Sequence, residues 1–341
     1  MTNSKLDNGK RNRPWSVFKK NKLAMISLFL FFSLSFFSLT AEFWSNSKPI
    51  FMSYHGKYYF PVFKNYHPTE FGRTDIFIMD YQSLKIDEND LFIWPLNQWD
   101  PYQSNTILSN YPSPPTKFNI FGTDDRGRDV FARIFYGFRY TLIYAIGVWF
   151  FSYTIGIILG GVMGYMGGVV DLLGMRIVEI FDSMPSLLML LTLIAIFNPS
   201  VTLLIVFSVF FGWTTIATYM RAEFLMIKNR EFVESARALG ASHWHILFKH
   251  ILPNALTPII TFSPFMIAGN ILTLTNIDYL GLGLPVPMPS WGELLGQAQK
   301  YLTIAEWLVW WPAFFLVLTL FLLINIGLAV RDSFDAKSFI N

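Results

Sequence analysis

Cysteine is absent from this 341-residue chain, which excludes disulfides, thiolate metal sites and cysteine nucleophiles. Charged residues are scarce, at 14% of the chain against roughly 25% in an ordinary soluble domain. The five histidines are scattered and form no ligand cluster with carboxylates, so neither a metal site nor a bound cofactor is expected. A net charge of only +3 gives no basic surface for nucleic acid.

The phosphate-binding sequence G-x-x-x-x-G-K-[ST] is also missing. Without it the chain cannot cradle ATP phosphates by the Walker mechanism. Serine, histidine and aspartate occur, but nothing in the sequence brings them together as a hydrolase site, so the chain is not expected to be an enzyme. A secondary transporter would need inverted repeats and intramembrane charges for ion coupling, and neither is evident.

Long apolar runs dominate what remains, in keeping with 53% hydrophobic residues. Each of six runs approaches the ~20 residues that cross a bilayer, and helices are expected because backbone groups in lipid must be satisfied within the segment. We therefore predict an all-α membrane protein with six transmembrane helices. The predicted spans are residues 23–40, 140–163, 177–197, 201–220, 255–275 and 306–330.

The first run follows seven basic residues, a pattern shared by signal peptides and membrane anchors. It is longer than the roughly 7–15 residues of a signal core and no clear cleavage site follows it, which favours an uncleaved anchor. Fifteen of the 26 basic residues then fall on one side of the membrane, which predicts that this side is cytoplasmic. The predicted division is a cytoplasmic tail over 1–22, an external insert over 41–139, a membrane domain over 140–331 and a second cytoplasmic tail over 332–341.

The insert mixes charges of both signs and holds no span. Two aromatic stretches, 58–63 and 91–96, predict strands or packed turns, and the proline-rich stretch 111–116 predicts a stiff extended linker. In the sequence TDDRGRD that follows, Asp124 or Asp125 is expected to cap a short amphipathic helix. Arginines lie between these carboxylates, which favours a solvated helix start over a metal site.

The most informative segment is the cytoplasmic loop 221–254, between the fourth and fifth spans. Early acidic residues, a later Arg237 and apolar residues at helical spacing predict a short helix. Gly240 is placed to end this helix in a left-handed conformation, and Ser242 to cap a second helix that Pro253 breaks before the membrane. The pattern is typical of a helix–turn–helix that docks a partner, with an amphipathic helix on lipid headgroups as the alternative.

This loop resembles the EAA loop of permeases in binding-protein-dependent ABC importers. That family's pattern is EAA, three residues, Gly, nine residues, then Ile-x-Leu-Pro. Here Ser235 replaces the middle Ala and His250 replaces the first Ile, while the spacing is kept in full. The matching residues are Glu234, Ser235, Ala236, Gly240, Leu252 and Pro253.

Further stretches extend the resemblance from residue 121 to about 335. FGTDDRGRDVFARIFYGFR, GYMGGVVDLLGMRIVEIFDSMPSLL and YLGLGLPVPMPSWGELL look like the second permease of dipeptide and oligopeptide importers. In the insert, GKYYFPVFKNYHPTEFG, WPLNQWDPY and YPSPPT resemble the Yej-type permease of the microcin C and oligopeptide importer.

The resemblance implies a MetI-like permease fold of type I ABC importers, in the inner membrane of a bacterial cell. It also implies four kinds of partner: a second homologous permease, ATPase subunits that dock on loop 221–254 and bind ATP and Mg²⁺, a periplasmic peptide-binding protein, and the lipid bilayer. Oligopeptides, including microcin C-like peptides, are the implied cargo, and nickel or opine cargo stays open. Asn270, Thr273 and Asn276 of the fifth span either line the substrate path or bond neighbouring helices.

Overall fold

The computed structural model describes residues 13–84, 87 and 90–334. Most of the predicted first tail and the last seven residues of the predicted second tail lie outside the described residues. The twelve α-helices of the described part are α1 Arg13–Lys20, α2 Lys22–Leu39, α3 Ala41–Trp44, α4 Val130–Met166, α5 Gly168–Ser183, α6 Ser186–Ile196, α7 Val201–Ile227, α8 Glu231–Ala238, α9 His243–His245, α10 Leu252–Tyr279, α11 Trp291–Lys300 and α12 Trp307–Phe334. A π-helical turn, Ile246–Ile251, joins α9 to α10.

The described residues form two compact units. The first unit comprises residues 13–31, 142–274 and 318–334. The second unit comprises residues 32–141 and 275–317, apart from the gaps given above, so the insert 41–139 lies within it.

Five helical segments in the described part of the chain are long and apolar enough to cross a membrane. They are α2, α4, α7, α12 and the continuous segment His243–Tyr279. The pair α5 and α6 passes the same test only when taken together, and the two helices are bent by 70°. The structure is therefore mostly helical, with five or six apolar spans.

The predicted continuous helix over 177–197 is wrong. α5 begins earlier, after Gly167 at a φ of +66°, and the chain leaves the helix at Met184, whose φ and ψ are −84° and 130°. Pro185 follows directly, and a proline disfavours the helical conformation of the residue before it. Proline also lacks the N–H that a continuous helix would need at that position.

α4 begins ten residues before its predicted start, because the segment before the apolar run is helical as well. Asp124 and Asp125 do not cap it, contrary to the prediction. Asp129 does so, and its Oδ1 accepts a hydrogen bond from Ala132 N at 2.8 Å. The short amphipathic helix and the second span are therefore one helix.

Glycines let α4 pack closely on α7 in the first unit. A Cβ at Gly156, Gly160 or Gly164 would overlap the backbone oxygen of Trp213, Ala217 or Arg221, respectively. Close backbone approach of this kind is typical of helix pairs in membranes. α4 and α7 therefore form a closely packed pair.

The insert contains a three-stranded antiparallel sheet in the order β2-β1-β3. Its strands are β1 Phe51–Tyr54, β2 Lys57–Tyr59 and β3 Leu91–Ile93, so both aromatic stretches form strands at the predicted places, whereas β1 was not expected. One face packs into a core with the 3₁₀ turns Pro68–Phe71 and Tyr81–Ser83; Met52, Tyr54, Tyr59, Phe71 and Tyr81 are buried there.

The stretch 111–116 is not the stiff extended linker that was predicted. Ser113 is buried, and its backbone pairs with Thr123: Ser113 N donates to Thr123 Oγ1 at 2.8 Å, and Thr123 N donates to Ser113 O at 2.9 Å. The prolines therefore belong to a folded turn that packs against the segment leading into α4.

Candidate functional site

The loop 221–254 is almost entirely helical. Residues 221–227 complete α7, α8 follows, and α9 continues through the π-helical turn into α10. Pro253 does not break the chain before the membrane, contrary to the prediction. It lies in the first turn of α10, just after a π-type bond from Leu252 N–H to Leu247 O, and proline is tolerated at such a position.

Gly240 ends α8 in the left-handed conformation that was predicted, with a φ of +80°. Two backbone bonds form a Schellman motif: Gly240 N–H donates to Arg237 O at 3.0 Å, and Ala241 N–H donates to Ala236 O at 3.1 Å. A Cβ at Gly240 would meet nothing within 4 Å. The chain itself therefore leaves the space beside this turn open.

Ser242 caps the second helix as predicted, and its Oγ accepts a bond from His245 N at 3.3 Å. Below the turn, Val233, Ile246 and Ile251 are fully buried. They share one hydrophobic cluster with residues of α4, α7 and α10, including Met220 and Phe224 of α7. The inner side of the loop is therefore part of the core of the first unit.

Polar contacts also fasten this region to its neighbours. Tyr165 OH lies 3.0 Å from His243 Nδ1, and Lys228 Nζ donates to Gly164 O at 2.8 Å, so the end of α4 is bound to both sides of α8. Arg221, near the end of α7, pairs with Asp171 of α5 through both carboxylate oxygens. A rigid-body displacement of the loop would therefore be passed to these helices.

The outer side of the loop is apolar and exposed. Leu239 is 89% exposed and Trp244 is 70% exposed. The Trp244 ring stacks on Phe248, with centroids 5.7 Å apart and planes 12° apart. We call Ser235, Leu239, Gly240, Trp244 and Phe248 the loop surface. A large exposed apolar patch of this kind is typical of an interaction site.

The six residues matched to the EAA pattern differ in their exposure to solvent. Glu234, Ser235, Gly240 and Pro253 are exposed, whereas Ala236 and Leu252 pack on the buried cluster beneath. Sequence reasoning missed Phe248 as part of the outer side. Its spacing of four residues from Trp244 was the available signal, because residues i and i+4 share a helix face.

The three polar residues proposed for α10 differ in their surroundings. Asn270 Nδ2 donates to Ala145 O of α4 at 3.1 Å, so this side chain bonds a neighbouring helix. Thr273 is exposed and its Oγ1 donates to Gly269 O, one turn back on α10. Asn276 is exposed and lies three residues further along the helix.

In the second unit, most of the TDDRGRD segment is buried, with Arg126 exposed, and the prediction that the segment is solvated is wrong. Asp124, Arg128 and Arg133 are all at most 2% exposed. Arg128 Nε donates to Asp124 Oδ2 at 2.7 Å, and Arg133 Nη2 donates to Glu293 Oε2 of α11 at 2.6 Å. Glu293 Oε1 also accepts from Arg128 Nη2 at 3.0 Å. These charges link the start of α4 to α11.

The electrostatics of this ionic cluster follow from burial and pairing. Burial alone would raise the pKa of the Glu293 carboxyl, but Arg133 and Arg128 hold this pKa below its usual value. Arg133 is further held by the carbonyls of Pro101, Pro287 and Met288, at 2.9 to 3.3 Å. The cluster thus holds the start of α4 to α11, and its charged groups pair with one another.

A second buried carboxylate, Asp129, is held by amides. Asn97 Nδ2 donates to its Oδ1 at 2.7 Å, and Asn119 Nδ2 donates to its Oδ2 at 2.8 Å. Burial raises the pKa of Asp129 to about 6, although these hydrogen bonds act in the opposite direction. Asp129 therefore joins two distant parts of the insert to the first turn of α4.

Apolar helices long enough to cross a bilayer define a multi-pass membrane protein, and its loop 221–254 has an exposed outer side on a buried base. Residues 156–339 match the family described as the binding-protein-dependent transport system inner membrane component. Residues 13–66 match the N-terminal transmembrane domain of oligopeptide transport permease C.

Curated relatives agree with these matches. The chain is 38% identical over 326 residues to the inner membrane ABC transporter permease protein YejE of Escherichia coli (strain K12), covering 94% of this chain and 95% of the relative. It is 39% identical over 360 residues to the peptidoglycan transport system permease protein YejE of Agrobacterium fabrum, covering 95% and 92%. It is 36% identical over 234 residues to the oligopeptide transport system permease protein OppC of Bacillus subtilis, covering 69% and 77%.

The chain therefore belongs to the family of inner-membrane permeases of binding-protein-dependent ABC transporters. Within that family it is of the oligopeptide type and similar to the Yej permeases, so both resemblances drawn from the sequence are confirmed. It is a multi-pass protein of the inner membrane. Its relatives are permease subunits of transporters.

Proposed function

We propose that this protein and a second homologous permease form the translocation path of a peptide importer. Relatives named for oligopeptide and peptidoglycan transport support a cargo that contains peptide bonds. The fold proposed is the MetI-like fold of type I importers, with α5 and α6 together crossing the membrane once. Six crossings then place both chain ends and the loop 221–254 in the cytoplasm, and the insert 41–139 on the periplasmic side.

The loop surface is the proposed docking site for the ATPase subunit. The single observation that carries this proposal is the contrast between its two sides: exposed Trp244 and Leu239 outside, fully buried Val233 and Ile246 beneath. A docked element transmits force only if its own base does not deform, and this base is part of the core. Glu234, Ser235, Gly240 and Pro253 face outward with it, while Ala236 and Leu252 support it.

In the proposed cycle, separate ATPase subunits bind ATP with Mg²⁺ and close on each other. The loops of the two permeases move with them as rigid bodies, and the path opens toward the periplasm to receive cargo from a binding protein. Thr273 and Asn276 are the proposed polar contacts of that path, since both are exposed on α10. Asn270 is a weaker candidate for the path because its amide already bonds α4.

The test removes the apolar outer contact without touching the buried base. Trp244→Ala is expected to abolish stimulated ATP hydrolysis and uptake of a labelled peptide by the complete transporter in proteoliposomes. Trp310→Ala is a matched control, because Trp310 is 69% exposed and carries the same ring on α12. Both variants should retain the wild-type unfolding temperature, since neither ring is in a core.

The outcomes separate docking from cargo. Normal uptake by the Trp244 variant would contradict docking at the loop surface. Wild-type transporter that hydrolyses ATP but takes up no peptide, while taking up nickel or an opine, would contradict the proposed cargo and leave docking intact.

A further inference from the structure

A patch of exposed aromatic residues lies on the insert next to the end of α2. Phe43, in α3, comes four residues after Leu39, where α2 ends. Its ring centroid lies 5.6 Å from that of Phe63, which is 69% exposed. The 18 residues of α2 span about 27 Å, close to the ~30 Å hydrocarbon thickness of a bilayer. The aromatic pair therefore lies near the level of the lipid headgroups.

Phe63 N donates to Phe60 O at 3.0 Å within one turn, and this turn connects the pair to the outer face of the sheet. The Phe51 ring of β1 lies 5.3 Å from the ring of Phe60 and 5.9 Å from that of Tyr58, which is 73% exposed. On the same face Leu91 and Ile93 of β3, opposite Ser53 and Phe51, are exposed as well. The solvated face of an antiparallel sheet is ordinarily polar. An apolar outer face implies a neighbour other than water.

The charge of this segment indicates which neighbour. Residues 43–66 include nine aromatic residues and three lysines, and they include no aspartate or glutamate. Lys57 is paired with Tyr54 on the other face of the sheet, and Lys64 Nζ lies 5.1 Å from the centroid of the Tyr66 ring, so neither lysine belongs to the outer face. Glu42, just before the segment, is neutralised by two bonds of 2.6 Å from Arg139. Aromatic rings without charged neighbours on their own face match the interfacial region of a membrane.

We propose that the patch formed by Phe43, Phe51, Tyr58, Phe60 and Phe63 rests in the headgroup region of the bilayer. A docked protein is the competing occupant. Lipid is favoured because the patch begins within four residues of a membrane span, whereas a protein would need no such continuity.

The opposite side of the sheet supplies an internal control. Phe71 packs against Tyr59 and Tyr54 on the buried face, with centroids 4.9 and 5.9 Å apart. Thr69 belongs to the same 3₁₀ turn and is exposed. It therefore points away from the proposed lipid contact.

The absence of cysteine makes each introduced cysteine a unique label. Spin labels would be placed at Tyr58→Cys, Phe63→Cys and Thr69→Cys in the complete transporter, held in nanodiscs of phosphatidylglycerol and phosphatidylcholine. Labels at 58 and 63 are expected to be reached by dissolved oxygen and protected from a water-soluble nickel chelate. The label at 69 should be open to the chelate. The replaced side chains are exposed, so the insert core is unchanged.

The comparison of the labels at 63 and 69 decides the test. Equal access of the chelate to labels 63 and 69 would overturn the proposal. Protection at 58 and 63 that arises only when the binding protein is added would also overturn it, and would assign the patch to that protein.

Discussion

Arg133 is a cation without exposure to water, near the start of an apolar helix. Its two terminal nitrogens donate to Glu293 and three carbonyl oxygens, and its Nε lies 3.3 Å from Asp124 Oδ2 as an ion pair. Breaking a buried ion pair on one side is strongly destabilising, because the remaining charge stays desolvated. The stability of the second unit therefore depends on the ionisation of Glu293.

The first prediction concerns that carboxylate. Glu293→Gln keeps the shape of the side chain, removes its charge and is expected to destabilise the protein by roughly 3 kcal/mol at pH 7. Because the pKa of Glu293 is depressed in the folded protein, its stabilising contribution is present above ~4.3, the ordinary pKa of glutamate, and is lost as pH falls through the folded value. Thermal unfolding in detergent at pH 7 and pH 4 measures both effects.

Glu306→Gln is the control, since Glu306 is exposed and the charge change is the same. The wild type should lose more stability than the Glu293 variant between pH 7 and pH 4. An unchanged unfolding temperature for Glu293→Gln at pH 7 would contradict this role of the ion cluster.

At the scale of single elements, the features predicted correctly from the sequence are those that depend on neighbouring residues alone. Gly240 and Ser242 were placed correctly because a left-handed turn and a helix cap each depend on one residue and its immediate neighbours. The bend at Pro185 and the helical path through Pro253 were not predicted. A proline permits a break without requiring one, and packing decides between the two outcomes.

Burial of the TDDRGRD segment could not be predicted either. Its charged partner Glu293 lies 160 or more residues away in the chain, and no local pattern reports such a pairing. The difference in exposure among the residues of the EAA pattern could not be predicted for the same reason. Whether Ala236 or Ser235 faces outward depends on how α8 rests on α7 and α10.

The π-helical turn Ile246–Ile251 is the element that sets which side of the loop faces out. It accommodates one extra residue relative to an α-helix and thereby sets the rotation of residues 243–248 relative to α10. Deleting Lys249 is expected to restore α-helical spacing and to rotate residues 243–248 by about 100° relative to α10. Trp244 and Phe248 would then leave the loop surface.

The expected result is a transporter with wild-type insertion but no stimulated ATP hydrolysis. Lys249→Ala, which removes the same side chain and keeps the turn, should behave as the wild type because Lys249 is exposed. Equal loss of activity in both variants would mean that the lysine itself matters and that the register does not.

At the scale of the whole molecule, the bent pair α5 and α6 determines the topology. If the pair crosses the membrane, three crossings separate the insert from the loop 221–254, and the two lie on opposite sides. If the pair re-enters the side from which it came, two crossings separate them and they share a side. The proposed function requires the first arrangement.

Single cysteines at Thr69, in the insert, and Asn229, between α7 and α8, test this arrangement. Both positions are exposed. A membrane-impermeant thiol reagent applied to right-side-out vesicles is expected to label position 69 alone, and the preference should reverse in inverted vesicles. Labelling of both positions from one side would contradict six crossings.

The ionic cluster between the start of α4 and α11 also has a consequence for biogenesis. Arg133 emerges from the ribosome 160 residues before Glu293, a delay of roughly 8–30 s at ordinary rates of translation. During that interval Asp124 is its only carboxylate partner within the cluster. A nascent chain that ends before α11 thus carries an incompletely paired arginine at the edge of the bilayer. In the completed chain the same charge is buried and paired with Glu293.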